Sequence, residues 1–145
     1  MIFKEKPEDF IPDMEVVGCV VECGGKIVLL HRQDHKLEGN KWDLPAGKVD
    51  KSDISVREAM VRELREETGI VVDEKVLILH DTFFVAHLGF KFFYHHFNLK
   101  LEKIPEIIIA EGEHKAFIWV TPEEALNMPL VMDEDYCLKH FYGIK

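Results

Sequence analysis

Runs of apolar residues divide this chain into segments with the composition of strands, and polar stretches separate them. Residues 14–21 and 26–30 are rich in valine, isoleucine and leucine, and the Cys-Gly-Gly just before the second run is typical of a hairpin turn. Residues 71–79, the aromatic-rich residues 90–101 and the shorter segment 115–120 also have the composition of strands. These segments predict a sheet.

A helix is predicted to begin at Ser55 and to end at Gly69. Ser55 and Glu58 fit a capping box, in which each side chain binds the other residue's backbone amide. Gly69 can adopt the left-handed conformation that commonly ends a helix. An apolar stripe with four-residue spacing lies between them, formed by Val56, Met60 and Leu64.

Two shorter helices are predicted in the last quarter of the chain. Thr121-Pro122-Glu123-Glu124 is a second capping box with proline at the first helical position, and residues 134–142 form the last helix. The order of strands, inserted helix, further strands and final helices predicts the α/β class, with helices covering a sheet.

The charge of the chain limits the partners that it can bind. It has 18 Lys and Arg against 27 Asp and Glu, which gives a formal net charge of −9. Nucleic-acid polymers and anionic membranes favour basic surfaces, so we expect neither as a partner. A small anionic substrate stays possible, because bound metal ions can reverse the local field.

The cysteines predict neither a disulfide framework nor a zinc set. Cys19, Cys23 and Cys137 are odd in number, and their spacing matches no zinc-binding pattern. The first twenty residues do not resemble a signal peptide, and no apolar run approaches the roughly 20 residues of a membrane helix. We therefore expect a cytoplasmic protein.

Three glutamates share one face of the predicted helix. Glu63, Glu66 and Glu67 are related by i,i+3 and i,i+4 spacing, at which each pair of like charges costs roughly 0.2–0.5 kcal/mol. Arg62 can offset part of this repulsion but cannot neutralise three carboxylates. Oxygen ligands suit Mg²⁺ or Mn²⁺ better than zinc. For the helix alone, a solvated polar face is the more ordinary explanation.

The residues around the glutamates favour the metal site. Gly47, followed by Arg62-Glu63-Leu64-x-Glu66-Glu67-x-Gly69-Ile70, resembles the Nudix box, G-x5-E-x7-R-E-U-x-E-E-x-G-U with U aliphatic. The segment before Gly47 and the later Trp-Val-Thr-Pro-Glu-Glu run are also similar to Nudix hydrolases. The chain is therefore identified as a member of that family.

One departure from the box lies between Gly47 and Arg62, which are one residue further apart than in the pattern. Asp53 occupies the place of the first glutamate when counted from Gly47, and Ile54 occupies it when counted from Arg62. We interpret this as a one-residue insertion in a loop, with Asp53 substituting for the glutamate.

The resemblance implies roles for the residues of the box. Glu63, Glu66 and Glu67 are expected to hold one to three Mg²⁺ ions, with Mn²⁺ as a substitute, and the carbonyl of Ala46 can add an oxygen ligand. Arg62 is expected to orient the glutamates through charge-assisted hydrogen bonds.

A glutamate from a later loop often completes the site in this family, as a ligand or as the general base. Glu113 and Glu111 precede the strand that contains Trp119, and we favour Glu113 for its distance from that tryptophan. Either could also be a solvated loop carboxylate. The general base is Glu63 or this later glutamate, and the sequence does not decide between them.

Four further residues are candidates for substrate binding. Arg32 lies in the densest cationic group before the box, and Trp42 could stack on a base or pack the start of the box loop. Asp133 and Glu134 resemble the acidic turn with which oxidised-purine nucleoside triphosphatases of this family read the base. An ordinary acidic helix start would explain these two residues equally well.

The resemblance also implies the fold and the reaction. We expect a Nudix-type α/β/α sandwich with a mixed sheet, as one domain over residues 1–145 and as a monomer or homodimer. The expected activity is Mg²⁺-dependent cleavage of a nucleoside triphosphate, including oxidised purine forms, to monophosphate and pyrophosphate. The alternatives are a nucleotide sugar, ADP-ribose or a dinucleoside polyphosphate as substrate, or a non-catalytic nucleotide-binding regulator.

Overall fold

A computed structural model describes residues 1–87 and 89–145, and a single mixed sheet forms its centre. The strands are β1 Ile2–Phe3, β2 Met14–Cys23, β3 Lys26–Arg32, β4 Trp42–Asp43, β5 Ala46–Lys48, β6 Ile78–His87, β7 Phe90–Leu101 and β8 His114–Val120. The helices are α1 Val56–Thr68, α2 Pro122–Leu126 and α3 Glu134–Tyr142, with a short 3-10 helix at Glu74–Val76.

The strands run in the order β1-β6-β7-β2-β3-β4, with β5 paired to β2 and β8 paired to β3. The central pair, β2 and β7, is parallel from Met14 opposite Phe92 to Cys23 opposite Leu101. The other pairings of these strands are antiparallel. The sheet is therefore mixed, as predicted.

Alternate residues of β2 point to opposite faces of the sheet, and each face carries its own core. Val17 and Val21 belong to the cluster that includes Met60 and Leu64 of α1. Val20 belongs to the cluster that includes Leu138 of α3. The sheet thus lies between α1 on one side and α2 with α3 on the other, which confirms the predicted α/β/α class.

The boundaries of α1 follow the predicted signals closely. The Ser55 side chain accepts a hydrogen bond of 3.1 Å from the Glu58 amide, which is one half of the predicted capping box. Gly69 ends the helix in the left-handed conformation with φ 77°, and its amide binds the carbonyl of Arg65. The box from Thr121 to Glu124 has both of its reciprocal bonds.

The prediction of a strand over residues 71–79 was wrong. Asp73 caps the 3-10 helix Glu74–Val76 through a bond from the Lys75 amide, and β6 begins only at Ile78. Arg57 of α1 donates hydrogen bonds to the carbonyls of Glu74 and Leu77, so these carbonyls are bound by a side chain instead of a strand. A local cap and a tertiary contact therefore outweigh strand propensity here. In the part of the chain that is described, no helix is long and apolar enough to cross a membrane.

Candidate active site

The glutamates of α1 face a cavity of about 500 Å³, which we call the acidic cavity. Its walls come from the end of β3, the following loop, β5, α1 and the loop before β8. The lining residues are Arg32, Lys36, Ala46, Gly47, Lys48, Glu63, Glu66, Glu67, Ala110 and Glu113. The three box glutamates, Ala46 and Glu113 therefore line one cavity, and their roles as metal ligands stay a prediction.

Glu63 lies directly beneath Gly47. A Cβ atom at Gly47 would lie 2.1–2.4 Å from the carboxyl atoms of Glu63, so only glycine leaves room for this carboxylate. Glu63 is buried, and burial raises its pKa although Arg62 acts in the opposite direction. Glycine is thus needed at position 47 for space and not for a left-handed backbone conformation.

Glu67 and Glu66 differ in their environment. The Ala46 amide donates a hydrogen bond of 2.9 Å to Glu67 Oε1, and burial raises the pKa of Glu67 well above its usual value. Glu66 is half-exposed, with 52% of its side chain accessible. The described contact of Ala46 with the glutamates is made by its amide, and a role for its carbonyl stays a prediction.

Arg62 binds the segments around the glutamates to one another. Its guanidinium donates to Glu63 at 2.9 Å, to Glu66 at 3.1 Å and to the Lys48 carbonyl at 3.0 Å. It also donates twice to Asp53, at 3.0 and 2.9 Å, and this contact lowers the pKa of Asp53. Ile54, the other candidate for the first box position, is 89% exposed.

Glu113 reaches the acidic cavity, where the Lys36 ammonium lies 2.7 Å from its carboxylate. This ion pair lowers the pKa of Glu113. Glu111 is not among the described residues that line the cavity, and its carbonyl accepts a hydrogen bond of 2.7 Å from the Gln33 side chain. The preference for Glu113 over Glu111 is consistent with these positions.

A smaller cavity of about 140 Å³ adjoins the acidic cavity, because Arg32 and Ala46 line both. We call it the side cavity. It is lined by Val16, Arg32, Leu37, Glu38, Asp43, Ala46, Val85, His87, Phe92, Tyr94, Val131, Met132, Asp133 and Glu134. Three of the four predicted substrate residues, Arg32, Asp133 and Glu134, therefore border one space.

Trp42 lies elsewhere. Its indole stacks on the His31 ring at 4.2 Å with an interplanar angle of 4°, and it packs against the core cluster below α2 and α3. Within residues 1–87 and 89–145, Trp42 is not part of either cavity's lining. Its surroundings match the packing alternative better than base stacking.

Two carboxyl groups that line the side cavity have raised pKa values, those of the buried Glu134 and of the partly buried Asp43. Burial raises the pKa of Glu134 to about 8, and burial together with the charge of Glu134 raises the pKa of Asp43 to about 8. Glu134 Oε1 accepts a hydrogen bond of 2.8 Å from the Tyr94 hydroxyl. Sequence reasoning missed Asp43 and Tyr94, although an aspartate between Trp42 and Leu44 is an unusual polar residue in an apolar run.

The two cavities together offer contrasting chemistry. The acidic cavity presents carboxylate oxygens, which suit a hard divalent cation, beside the cationic side chains Arg32, Lys36 and Lys48. The side cavity combines apolar walls with a few carboxyl groups. A ligand with a polyphosphate chain and a flat polar ring would match this combination.

Comparison with known proteins gives concordant matches. The family model described as NUDIX domain matches residues 12–141. The CTP pyrophosphohydrolase of Escherichia coli (strain K12) is 33% identical over 136 residues, which cover 91% of this chain and 93% of that protein. The solution structure of the E. coli ORF135 protein superposes with a TM-score of 0.74 at 30% identity, covering 90% of this chain and 89% of that one. The crystal structure of a MutT protein from Methanosarcina mazei Go1 gives a TM-score of 0.74 at 26% identity, with coverage of 90% and 91%.

Proposed function

Because the chain belongs to the NUDIX family of hydrolases, we propose that it is a Mg²⁺-dependent enzyme that cleaves a nucleoside triphosphate to the monophosphate and pyrophosphate. The observation that carries this proposal is the junction of the acidic cavity with the side cavity at Arg32 and Ala46. A nucleotide whose phosphate chain lies against the glutamates can extend past this junction, so that its nucleobase enters the side cavity.

The donor set of the acidic cavity fits Mg²⁺. Glu63, Glu66, Glu67 and Glu113 supply only oxygen donors, and burial, with smaller contributions from neighbouring carboxylates, raises the pKa values of Glu63 and Glu67. When bound there, Mg²⁺ supplies the positive charge that polarises phosphate oxygens and acidifies a water molecule. We expect Mn²⁺ to substitute for it.

The chain's own residues complete the reaction. Arg32, Lys36 and Lys48 can bind phosphate oxygens, and Arg62 fixes the glutamate carboxylates through the bonds described above. Glu63 and Glu113 both reach the cavity, and either can accept the proton of the attacking water. A base within hydrogen-bond reach is needed for that step, so the glutamine variant of the residue that acts as the base, Glu63→Gln or Glu113→Gln, should lose most of the activity.

The nucleobase of the substrate is proposed to carry an exocyclic amino group. The side cavity presents the carboxyl groups of Glu38, Asp43 and Asp133, which can accept hydrogen bonds from such a group, whereas the oxygens of Glu134 face Tyr94 and His96. Guanine, adenine and cytosine have one, whereas uracil and thymine do not. The purine preference expected from Asp133 and Glu134 stays part of the proposal. The name of the Escherichia coli relative supports CTP as a second candidate.

A nucleotide panel tests this function. We would measure products by anion-exchange chromatography for dGTP, 8-oxo-dGTP, dATP, dCTP, CTP, UTP, dTTP, ADP-ribose and a nucleotide sugar, each with Mg²⁺. The expected products are monophosphate and pyrophosphate, with UTP and dTTP at least about tenfold slower than the preferred nucleotide, as loss of a single hydrogen bond implies. A chelator should abolish the reaction.

The outcomes separate the alternatives. Turnover of ADP-ribose or a nucleotide sugar in preference to triphosphates would replace the proposed substrate class. Tight nucleotide binding without turnover, equal in the wild type and in a Glu67→Gln variant, would indicate a regulator. Hydrolysis that resists the chelator would contradict the metal-dependent mechanism.

A further inference from the structure

Three side chains of different chemistry meet between β7 and α3, away from the acidic cavity. They are His96 of β7 and Glu134 and Cys137 of α3. One ligand atom from each lies within 4.8 Å of the other two, and all three residues are buried. A nitrogen, an oxygen and a sulfur donor in one place form a ligand set typical of borderline divalent cations such as Zn²⁺.

Two of these donor atoms have no hydrogen-bond partner among the described residues. His96 Nε2 and Glu134 Oε2 are both inaccessible to solvent, and they face each other at 3.6 Å. Most buried polar atoms in proteins are partnered, so two facing atoms without a partner need an explanation. A cation between them would bind both.

The second nitrogen of His96 is already held in the manner of a metal ligand. His96 Nδ1 lies 2.8 Å from His80 Nε2, which is hydrogen-bond distance. If His96 donates its Nδ1 proton to His80, its Nε2 carries a free lone pair that points at the cluster. Histidine ligands in proteins are commonly oriented by such a bond from the other ring nitrogen.

We propose that His96, Glu134 and Cys137 form a binding site for one Zn²⁺ ion, separate from the magnesium site of the box glutamates. Glu134 also borders the side cavity, which gives the ion a route to the cluster. The site differs from the acidic cavity in its nitrogen and sulfur donors, and it therefore selects a different metal.

Charge and proton balance are consistent with this site. In such a site Cys137 binds as a thiolate, Glu134 as a carboxylate and His96 as a neutral imidazole, and the protons of the thiol and of a protonated carboxyl group are released to solvent. The resulting thiolate and carboxylate balance the two positive charges of the ion, so the buried cluster stays neutral.

Cobalt titration tests the proposal, because a thiolate bound to Co²⁺ gives a charge-transfer band in the near ultraviolet. The protein would be saturated with Mg²⁺, titrated with Co²⁺ and then titrated with Zn²⁺. We expect one equivalent of Co²⁺ to generate the band and one equivalent of Zn²⁺ to remove it. The Cys137→Ser variant should lose the band, and Cys23→Ser, which changes a partly exposed cysteine, should keep it.

Two further variants keep the outcome decisive. Glu134→Gln preserves the thiol and is nearly isosteric, and it should lower Zn²⁺ affinity at least about 100-fold, since even an outer-sphere partner is worth about 10- to 100-fold. It decides the question if Cys137→Ser does not fold. Glu67→Gln should leave the band unchanged, which separates this site from the magnesium site. A wild-type protein without the band, or a band that survives in both Cys137→Ser and Glu134→Gln, would overturn the proposal.

Discussion

The Arg62 guanidinium donates two hydrogen bonds to the Asp53 carboxylate, at 3.0 and 2.9 Å, across a loop that is one residue longer than the Nudix pattern. The Asp50 amide donates to the same carboxylate at 2.7 Å, and the neighbouring Ile54 points into solvent. The loop therefore absorbs the extra residue while an acidic side chain still reaches the arginine. The interpretation of Asp53 as the substitute for the first box glutamate is consistent with this contact.

Asp53→Asn should impair catalysis without unfolding the protein. The amide cannot accept both guanidinium bonds, so Arg62 would hold Glu63 and Glu66 less rigidly. We expect kcat to fall about 10- to 100-fold, the range for residues that orient metal ligands. Asp53→Glu should recover most of the activity, and Asp50→Asn in the same loop serves as the control. Equal activity of Asp53→Asn and Asp50→Asn would show that the Asp53 contact is dispensable.

Gly47→Ala should reduce activity far more than stability. The added methyl group would collide with the Glu63 carboxylate, which is the end of a flexible side chain and can move aside. The midpoint of thermal unfolding should therefore change little, whereas kcat should fall at least about tenfold because the carboxylate is displaced. Gly112→Ala is the matched control, since no described atom lies within 4 Å of its added Cβ. A large loss of stability in Gly47→Ala alone would contradict this prediction.

Glu66→Gln and Glu67→Gln should each lower kcat by about two orders of magnitude or more, because each removes a proposed metal ligand. Without metal, the stability of Glu67→Gln should equal or exceed that of the wild type, since a buried carboxyl group near like charges is replaced by a neutral amide. Glu58→Gln, on the first turn of the same helix, is the control. Steady-state kinetics with Mg²⁺ and urea unfolding with a chelator provide the two measurements. Near-normal turnover in either variant would remove that residue from the metal site.

Metal-free protein should lose stability as the pH rises toward 8, and the loss should level off above that pH. Asp43 and Glu134 have folded pKa values of about 8, above the usual carboxyl range near 4, so their contribution is complete below about pH 4, declines as the pH rises toward 8 and is exhausted above it. The histidines with lowered pKa values oppose this decline near pH 7, where their unfolded rings are still partly protonated, and add almost no slope at about pH 8 and above. Each carboxyl group held protonated contributes about 1.4 kcal/mol per pH unit below its folded pKa.

Glu134→Gln is the control for this pH dependence. Urea unfolding in chelator at pH 7, 8 and 9 should give a shallower decline of the unfolding free energy for Glu134→Gln than for the wild type. A wild-type stability that rises over this range would show that both carboxyl groups are ionised in the folded state.

Asp133→Asn should reduce selectivity for the base. Glu134 directs its oxygens at Tyr94 and His96, whereas Asp133 borders the side cavity with a carboxylate oxygen that accepts no hydrogen bond from the described residues and lies 3.7 Å from the Met1 ammonium. Losing a charge-assisted contact costs roughly 1.5–3 kcal/mol, so kcat/KM for dGTP and 8-oxo-dGTP should fall by about one to two orders of magnitude. Asparagine tolerates the left-handed conformation of this residue, with φ 69°.

The measurement compares kcat/KM for dGTP, 8-oxo-dGTP, dCTP and dTTP, with the exposed Asp135→Asn as control. A loss confined to dCTP would favour cytosine as the base. Equal losses of kcat/KM on all four nucleotides, or no loss, would indicate that Asp133 is an ordinary residue at a helix start and does not contact the nucleobase.

The sequence predicted element boundaries well where contacts within a few residues decide them, and poorly where a tertiary contact decides them. Ser55 and Gly69 fix the ends of α1 through contacts within a few residues, so the sequence was sufficient there. The start of β6 was predicted wrongly because Arg57, far away in the chain, binds the carbonyls of the preceding segment. Such a contact leaves no pattern near the affected residues.

The candidate site shows the same division. Glu63, Glu66 and Glu67 follow from helical spacing, and their shared cavity was predictable. Asp43 and His96 could not be found this way, because the residues around them come from distant strands and from α3. Trp42 was a candidate site residue by sequence, but its position is decided by a tertiary contact. Its stacking on His31 depends on the pairing of β3 with β4.

The parallel pairing of β2 with β7 also affects how this chain folds. The two strands come from opposite halves of the sequence, and α1 with its glutamates is synthesised between them. Pairings between distant segments form slowly, and an unpaired central strand can associate with other chains. During translation β2 therefore lacks this neighbour until Leu101 has left the ribosome, and before that point only β3, at the hairpin end, and β5, at Val16–Gly18, can pair with it.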